Sequence, residues 1–403
     1  MDTHAISTRP HTEEIVNRAH PMIRRHWPAP VLGILVIASA LASSHAAVAA
    51  PWQGGPAWVP LRPDEPIAGH DAVWTPAGQM LLHGGERPGG VPPEAMRRLD
   101  LDDSIKTWST LEVHGDVPVA SLDHRGLLGS RAIIDAADNR LLAICDCSAG
   151  TTFELDLSNG AWARTSADPA FALWHGTMVY DGARDRAVLV GGQAQGLADL
   201  STAKTWSYDL SPARRGWRAL PEAPFTHTFQ AADVDPRSGH LVMFGGRHGA
   251  TGEVLASVWR LDLAKAEAAD GWRDITASAG PGPAARLGAT LTFDTGSASA
   301  VLYGGYTERG DLGDAWLLDY SDPAQPRWEL LRVPDPNPGA RSGHSAVWDP
   351  THHDVVIYGG TREEPSHEVR FLDDAWALHV DADRTPRTIY LPIGYNGVAI
   401  DDP

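Results

Sequence analysis

The chain has 403 residues, of which 43% are hydrophobic and 21% are charged, a balance typical of a packed globular protein rather than a disordered one. Its 33 basic and 51 acidic residues give a net charge of −18, which argues against nucleic acid and anionic membranes as partners. The 40 glycines and 31 prolines indicate many turns and favour an all-β fold.

The first 49 residues have the features of an export signal. Arg24 and Arg25 precede an apolar run over residues 31–42, and residues 47–49 supply a small-residue cleavage pattern. The run is shorter than the about 20 residues that cross a bilayer. We therefore predict a cleaved signal peptide over residues 1–49, a periplasmic or secreted protein, and no stable membrane span after cleavage. An uncleaved anchor is the alternative, and Met22 offers a second start.

Double glycines recur after short aliphatic runs. The runs read MLLHGG, AVLVGG, LVMFGG, AVLYGG and VVIYGG, and they end at Gly85, Gly192, Gly246, Gly305 and Gly360. Each indicates a buried strand that ends in a turn.

A second strand type follows these runs, with an aspartate near its end and a tryptophan shortly after it. The aspartates are Asp100, Asp156, Asp209, Asp262 and Asp319, and the tryptophans are Trp108, Trp162, Trp217, Trp272 and Trp328. Trp58 precedes the first copy, and the tryptophan spacings are 50, 54, 55, 55 and 56. So regular a period indicates a structural repeat, and about four short strands per unit are the makeup of a propeller blade.

These motifs resemble the kelch-repeat family over about residues 56–392, and we assign residues 50–403 to one domain. The resemblance implies an all-β, six-bladed kelch-type β-propeller. The N-terminal strand around Trp58 is predicted to complete the sixth blade, with residues 387–392 as the rival strand. The glycine pairs, tryptophans and aspartates are interpreted as structural: they allow positive φ, fill the space between blades and fix turns.

Function is expected where the copies differ. In propellers the segment that precedes the innermost strand of a blade (here the lead-in segment) and the connection after the glycine pair (the glycine loop) share one side, which we call the loop face. The predicted ligand-binding residues there are His70, Arg247, Arg286, Arg341, His344, Arg362 and Glu363. Arg286 and Arg341 occupy matched positions and suit carboxylate recognition. The alternative is that they brace the loops by bonding backbone carbonyls.

Two classes of function stay open at this point. One is an exported binding or scaffolding module for a protein or carbohydrate. The other is a small-molecule enzyme, a sugar-acid epimerase or mutarotase, because the chain has a distant resemblance to exported N-acetylneuraminate epimerases; Arg341 would hold the acid and Glu363 would move the proton. No metal-binding, nucleotide-binding or nucleophile motif is present, so no cofactor is predicted and a galactose-oxidase-type copper enzyme is disfavoured.

The two cysteines, Cys145 and Cys147, lie in one divergent repeat. Aligning RLLAICDC with RAVLVGGQ places Cys145 on Gly191, so this repeat has lost its glycine pair. A local disulfide between the two thiols is predicted, with a metal site as the weaker reading because no further ligands are evident.

Overall fold

The structure is a computed structural model that describes residues 56–91, 93, 95–102, 106–118, 131–145, 151–167, 173–194, 202–268 and 270–380. They fall within one compact unit, Ala46–Pro403. The helical structure in these ranges is a single 3-10 turn, Leu263–Lys265, and no described helix has the length and apolarity needed to cross a membrane. The predicted signal peptide lies outside the described residues.

The strands form six sheets, numbered here as blades 1 to 6 in chain order of their first strands. From first to fourth strand they are, for blade 1, Ala68–Thr75, Gln79–Glu86, Met96–Asp100 and Trp108–Leu111; for blade 2, Arg131–Asp135, Arg140–Cys145, Thr151–Asp156 and Ala161–Ala167; for blade 3, Thr177–Asp181, Arg186–Val190, Thr205–Asp209 and Gly216–Leu220; for blade 4, Ala231–Asp235, His240–Phe244, Val258–Asp262 and Trp272–Asp274; for blade 5, Thr290–Phe293, Ser299–Tyr303, Ala315–Asp319 and Arg327–Leu331; and for blade 6, Ser345–Asp349, Asp354–Tyr358, Ala375–His379 and Ala57–Pro60. These four strands pair antiparallel in every blade. The first strands of successive blades contact one another in a closed ring, including blade 6 with blade 1. The six-bladed β-propeller is confirmed.

Shorter strands decorate the connections. His114–Gly115 adds a parallel fifth strand to the outer edge of blade 2. Four two-stranded ribbons accompany blades 3 to 6: Leu173–Trp174 with Gln193–Ala194, His227–Thr228 with Arg247–His248, Tyr306–Thr307 with Gly310–Asp311, and Thr361–Glu363 with Val369–Phe371. These ribbons extend the loop face beyond the blades.

The two ends of the described chain meet in blade 6. Ala57–Pro60 pairs antiparallel with Ala375–His379 and places Trp58 opposite Leu378. The Leu61 amide extends the pairing by donating to the Ala375 carbonyl over 2.7 Å. The prediction that the N-terminal strand completes the sixth blade is therefore correct, and the blade has no open edge at that position.

The apolar core is divided into six clusters, one between each pair of neighbouring blades. Alternate side chains of a strand face opposite neighbours. In blade 1, for example, Leu81 packs towards blade 2, and Met80 and Leu82 pack towards blade 6. Each interface is sealed by the same few positions, which explains why the sequence repeats them.

The repeated tryptophans belong to this packing. Trp58 in blade 6 lies 4.8 Å, centroid to centroid, from Tyr303 of blade 5, and Trp108 in blade 1 lies 4.5 Å from Tyr358 of blade 6. Trp328 in blade 5 meets Phe244 of blade 4 in the same way. In all three pairs the partner directly precedes a glycine pair in the previous blade, so the two motifs of the repeat are in contact.

The repeated aspartates fix turns, as predicted. In all five, a carboxylate oxygen accepts a hydrogen bond from the backbone amide two residues later, with lengths of 2.8 to 3.1 Å: Asp100, Asp156, Asp209, Asp262 and Asp319. This is the local bond that favours aspartate at turns.

Blade 2 is the divergent repeat. Cys145 is the last residue of its second strand and pairs with Thr151 of the third. Cys147 lies outside the described residues, so the predicted disulfide stays a prediction.

Candidate functional site

The glycine pairs build the loop face. Both glycines of blades 4, 5 and 6 have positive φ, and the second one donates its amide to a carbonyl in the lead-in segment of the next blade. Gly360, with φ of +94°, donates to Ile67 of blade 1 over 2.8 Å. A Cβ there would lie 2.7 Å from the Ser342 carbonyl oxygen, so no other residue fits without movement.

Lead-in segments and glycine loops do share one side of the ring. In blade 4 they pair as the ribbon His227–Thr228 with Arg247–His248. In blades 5 and 6 they pair through the bridges Leu287 to Tyr306 and Ser342 to Thr361. The predicted site residues on these segments are thus on one face, although only some of them are exposed.

Arg286 and Arg341 are buried braces. Their side chains are 1% and 0% exposed and bind Asp314 and Asp374 through two hydrogen bonds each, 2.6 to 2.9 Å long. Each guanidinium also donates to the first carbonyl of a glycine pair, Arg341 to Gly359 over 3.1 Å. Guanidiniums so enclosed present no surface to a ligand, and the geometry favours the bracing alternative. Their ligand-binding role stays untested.

His70 and His344 link neighbouring blades through side-chain hydrogen bonds. His70 Nε2 lies 2.7 Å from Ser345 Oγ of blade 6, and His344 Nε2 lies 3.0 Å from Thr290 Oγ1 of blade 5. Burial lowers the pKa of His70 to about 3, assisted by the charge of Arg131, and lowers that of His344 well below its ordinary value. Both imidazoles are therefore neutral at physiological pH and serve the loop-face scaffold.

Arg247, Arg362 and Glu363 lie half-buried on the loop face. Arg362 donates to the Pro338 and Ala340 carbonyls over 2.7 Å each, and Arg247 donates to Gly252 over 3.2 Å. All three keep part of their surface in solvent.

Asp71 and Arg131 are channel residues that the sequence reasoning missed. They occupy matched positions in the first strands of blades 1 and 2. Asp71 Oδ2 accepts the Ala132 amide over 2.9 Å, and Arg131 Nε donates to the Gly176 carbonyl over 2.7 Å. Burial raises the pKa of Asp71 despite the opposing charge of Arg131. A carboxyl and a guanidinium are thus placed beside each other where the blades converge.

A second missed feature is a strained aromatic pair. Backbone hydrogen bonds of 2.8 to 3.0 Å link one residue of each lead-in segment around the channel from blade 3 to blade 1: His175, Phe229, Gly288, Gly343 and Gly69. All five have φ between +56° and +65°, a conformation that costs little only for glycine. His175 and Phe229 adopt it nonetheless, with their rings stacked 4.0 Å apart. Aligning WHGTMV with SGHSAV places His175 on Gly343 and would have revealed the exception.

The site carries no metal constellation. Among the described residues, no three His, Cys, Asp or Glu side chains come together closely enough to hold an ion. The arrangement offers a rigid polar channel mouth surrounded by ribbons of differing length and charge, which suits recognition.

A protein-family model described as the KLHDC2/KLHL20/DRC7 Kelch-repeats domain matches residues 175–384. Putative adagio-like protein 2 of Oryza sativa subsp. japonica is 26% identical over 317 residues, which are 74% of this chain and 48% of that protein. An F-box/kelch-repeat protein of Arabidopsis thaliana is 33% identical over 146 residues, 35% of this chain and 29% of that protein. The chain therefore spans about half of the first relative and less than a third of the second.

Proposed function

Because this chain belongs to the kelch-repeat family, we propose that it is a binding or scaffolding module that docks a partner protein through its loop face. The observation that carries this is the exposure of apolar side chains on the glycine loops of two adjacent blades. Val91 of blade 1 is 46% exposed and Val369 of blade 6 is 40% exposed. Apolar residues within a charged surface, held on a rigid scaffold, are typical of protein interfaces.

The surroundings of the two valines support the same interpretation. Arg370 is exposed next to Val369, and Arg87, bridged to Val91, forms an ion pair of 3.1 Å with Glu65. Beneath them the loops are anchored by the buried Arg341 and by the glycine pairs. A partner would therefore meet a preformed surface, which reduces the entropy cost of binding.

A comparison of variants that introduce a negative charge tests the docking surface. The double variant Val91→Asp/Val369→Asp is compared with Leu330→Asp, since Leu330 is 45% exposed but lies on the fourth strand of blade 5, outside the two glycine loops. Partners retained by the tagged wild type from its own source are quantified by mass spectrometry. We expect the double variant to lose them and Leu330→Asp to keep them. Equal retention by all three proteins would place docking elsewhere, and glycan-array binding lost in the double variant would identify a carbohydrate.

A sugar-acid epimerase or mutarotase is the second candidate, and the proximity of the Arg131 charge to Asp71 favours it. An arginine suits a carboxylate, and burial raises the pKa of the Asp71 carboxyl, as is found for carboxyl groups that transfer protons. These residues replace Arg341 and Glu363 as candidates. The rate of N-acetylneuraminate mutarotation, followed by NMR, should rise with the wild type and not with Asp71→Asn. No acceleration by the wild type would remove this candidate.

We also propose export, on the basis of the pattern over residues 1–49. Its test is N-terminal sequencing of the protein recovered from periplasmic and extracellular fractions. A mature chain that starts at Ala50 is expected, whereas an intact leader in the membrane fraction would indicate the uncleaved anchor.

A further inference from the structure

A cleft of about 300 Å³ opens between blades 3 and 4 on the side of the ring opposite the loop face. Its walls come from the turn between the first and second strands of blade 3, the loop between its third and fourth strands, and the 3-10 turn of blade 4. The charged lining residues are Arg184, Arg186, Arg214, Arg218, Asp209 and Glu267. Four arginines face two lining carboxylates and the buried Asp181, which binds Arg184 and Arg186, so this arginine cleft has an excess of 4 − 3 = +1 in a chain whose net charge is −18.

Arg186 is the structural member of the cleft. It is buried, donates to Asp181 over 3.0 Å and reaches across to the Leu263 carbonyl of blade 4 over 2.8 Å. Arg140 of blade 2 makes the same two kinds of contact with its own turn and with blade 3. Arg186 is thus part of the ordinary repeat and supplies a fixed wall.

Arg184 and Arg214 are additions to the repeat, whereas Arg218 matches Arg273 of blade 4. The position of Arg184 is occupied by Asp138 in blade 2 and by Ser238 in blade 4. Arg214 and Arg218 are more than half exposed and Arg184 is about one-third exposed. They pair with Asp209, Glu267 and Asp181, respectively, and keep part of their surface in the solvent of the cleft.

Glu267 shows how the arginines of the cleft bind a carboxylate. Its carboxylate is more than half exposed, yet it accepts hydrogen bonds from Arg186 over 2.8 Å and from Arg218 over 3.2 Å. It therefore occupies the place that an external oxyanion would take between these guanidiniums. Burial opposes the ionisation of Asp209, but hydrogen bonds from Ser211 and the arginine charges keep its pKa below the ordinary value.

We propose that the arginine cleft binds a multiply charged oxyanion of the phosphate or polycarboxylate class, held by Arg184, Arg214 and Arg218 against the wall that Arg186 forms. Planar guanidiniums bind such groups through paired, charge-assisted hydrogen bonds. The volume suits a small ligand. The same group is found on free metabolites and on phosphorylated side chains, and either source presents the same chemistry. This site is independent of the loop face.

Binding of inorganic pyrophosphate, measured by isothermal titration calorimetry at low ionic strength, tests the site. Arg214→Gln/Arg218→Gln should weaken binding at least about tenfold, since several charge-assisted bonds are lost. Glu267→Gln removes the internal competitor and should tighten binding. The control Arg273→Gln alters the matching outer-strand arginine of blade 4, which is exposed but outside the cleft, and should change nothing.

The outcomes separate clearly. Thermal melting shows that each variant is folded. Equal affinities of the wild type and the double variant for pyrophosphate would overturn the proposal. So would the absence of wild-type binding at about 10 mM pyrophosphate, because a specific site has a lower dissociation constant than that. A phosphoserine peptide that binds more tightly than pyrophosphate, and with the same variant dependence, identifies a macromolecular source; the reverse order identifies a free anion. Val91→Asp/Val369→Asp should leave pyrophosphate binding unchanged, which distinguishes this site from the docking surface.

Discussion

Replacing Arg341 should destabilise the scaffold rather than selectively abolish a binding activity. Arg341→Met keeps the volume and leaves the Asp374 carboxylate with the Trp376 indole as its remaining side-chain donor. Breaking a buried ion pair costs about 3–5 kcal/mol. The Asp374 side chain is 32% exposed, so solvent compensates for part of the loss, and we expect about 3 kcal/mol.

Urea unfolding at neutral pH, followed by tryptophan fluorescence, measures this loss. Asp374→Asn in the Arg341→Met background should cost much less than in the wild type, because the unpaired charge is already present. Arg286→Met in blade 5 breaks the equivalent pair with Asp314 and is the matched control. A free energy of unfolding for Arg341→Met within about 0.5 kcal/mol of the wild type, the range of ordinary surface changes, would refute the bracing role.

Acid should weaken the same contact. Burial opposes ionisation of Asp374, but hydrogen bonds from Arg341 and its charge hold the pKa of this carboxyl below the usual range. The stabilisation is therefore complete above the unfolded-state pKa of about 4 and disappears as the pH falls through the lower folded-state value. The free energy of unfolding of Arg341→Met should therefore lack this decrease at acid pH.

Three further predictions concern the ring. Trp58→Ala should lower the free energy of unfolding by about 3–5 kcal/mol and increase proteolysis near the N-terminal strand; stability like the wild type would argue against closure by that strand. Gly360→Ala should destabilise, because φ of +94° and a 2.7 Å approach to a carbonyl oxygen forbid a side chain, and a neutral result in chemical denaturation would contradict this. Burial raises the pKa of Asp233 to about 6, so stability should fall as the pH rises from about 4 to 6. Asp233→Asn should remove that slope, and an unchanged slope would assign it to another group.

The repeat made the fold predictable because its signals are local. The aspartate turns bond two residues ahead, and the tryptophan period reports a packing unit that every blade must build. Trp58 also predicted the closing strand. Its strand has the motif of a fourth strand but precedes the first blade, and the last blade has no fourth strand of its own, so the two are expected to pair. Blade 2 was recognised as divergent, but the thiol chemistry of Cys145 depends on more than its alignment.

The roles of Arg286 and Arg341 were harder because their partners are 28 and 33 residues away in sequence. A signal did exist within the chain. The two repeats with arginine two residues before the lead-in glycine, at Arg286 and Arg341, both carry aspartate before Ala-Trp, at Asp314 and Asp374, whereas blade 4 has Ser257 there. An arginine in a loop is usually expected to be solvated, and the ion pairs that bury Arg286 and Arg341 form only in the tertiary structure.

The sequence did not reveal the channel residues, for a different reason. Asp71 and Arg131 are ordinary polar residues in their own strands and acquire meaning only when six blades converge. His175 and Phe229 break a backbone rule that becomes visible once the lead-in segments are superposed. Exceptions to the repeat, rather than the repeat itself, therefore locate the positions to mutate first.

Closure of blade 6 by Ala57–Pro60 has a consequence for biosynthesis. The strand leaves the ribosome first but its partner, Ala375–His379, follows about 315 residues later. At about 5–20 residues per second, the nascent chain carries an unpaired, tryptophan-bearing edge for roughly 16 to 60 seconds. During that interval five blades can assemble as an open arc whose two flanks expose apolar surface. Holdase chaperones that shield strand edges should therefore act on the N-terminal segment, and their release should coincide with completion of the last blade.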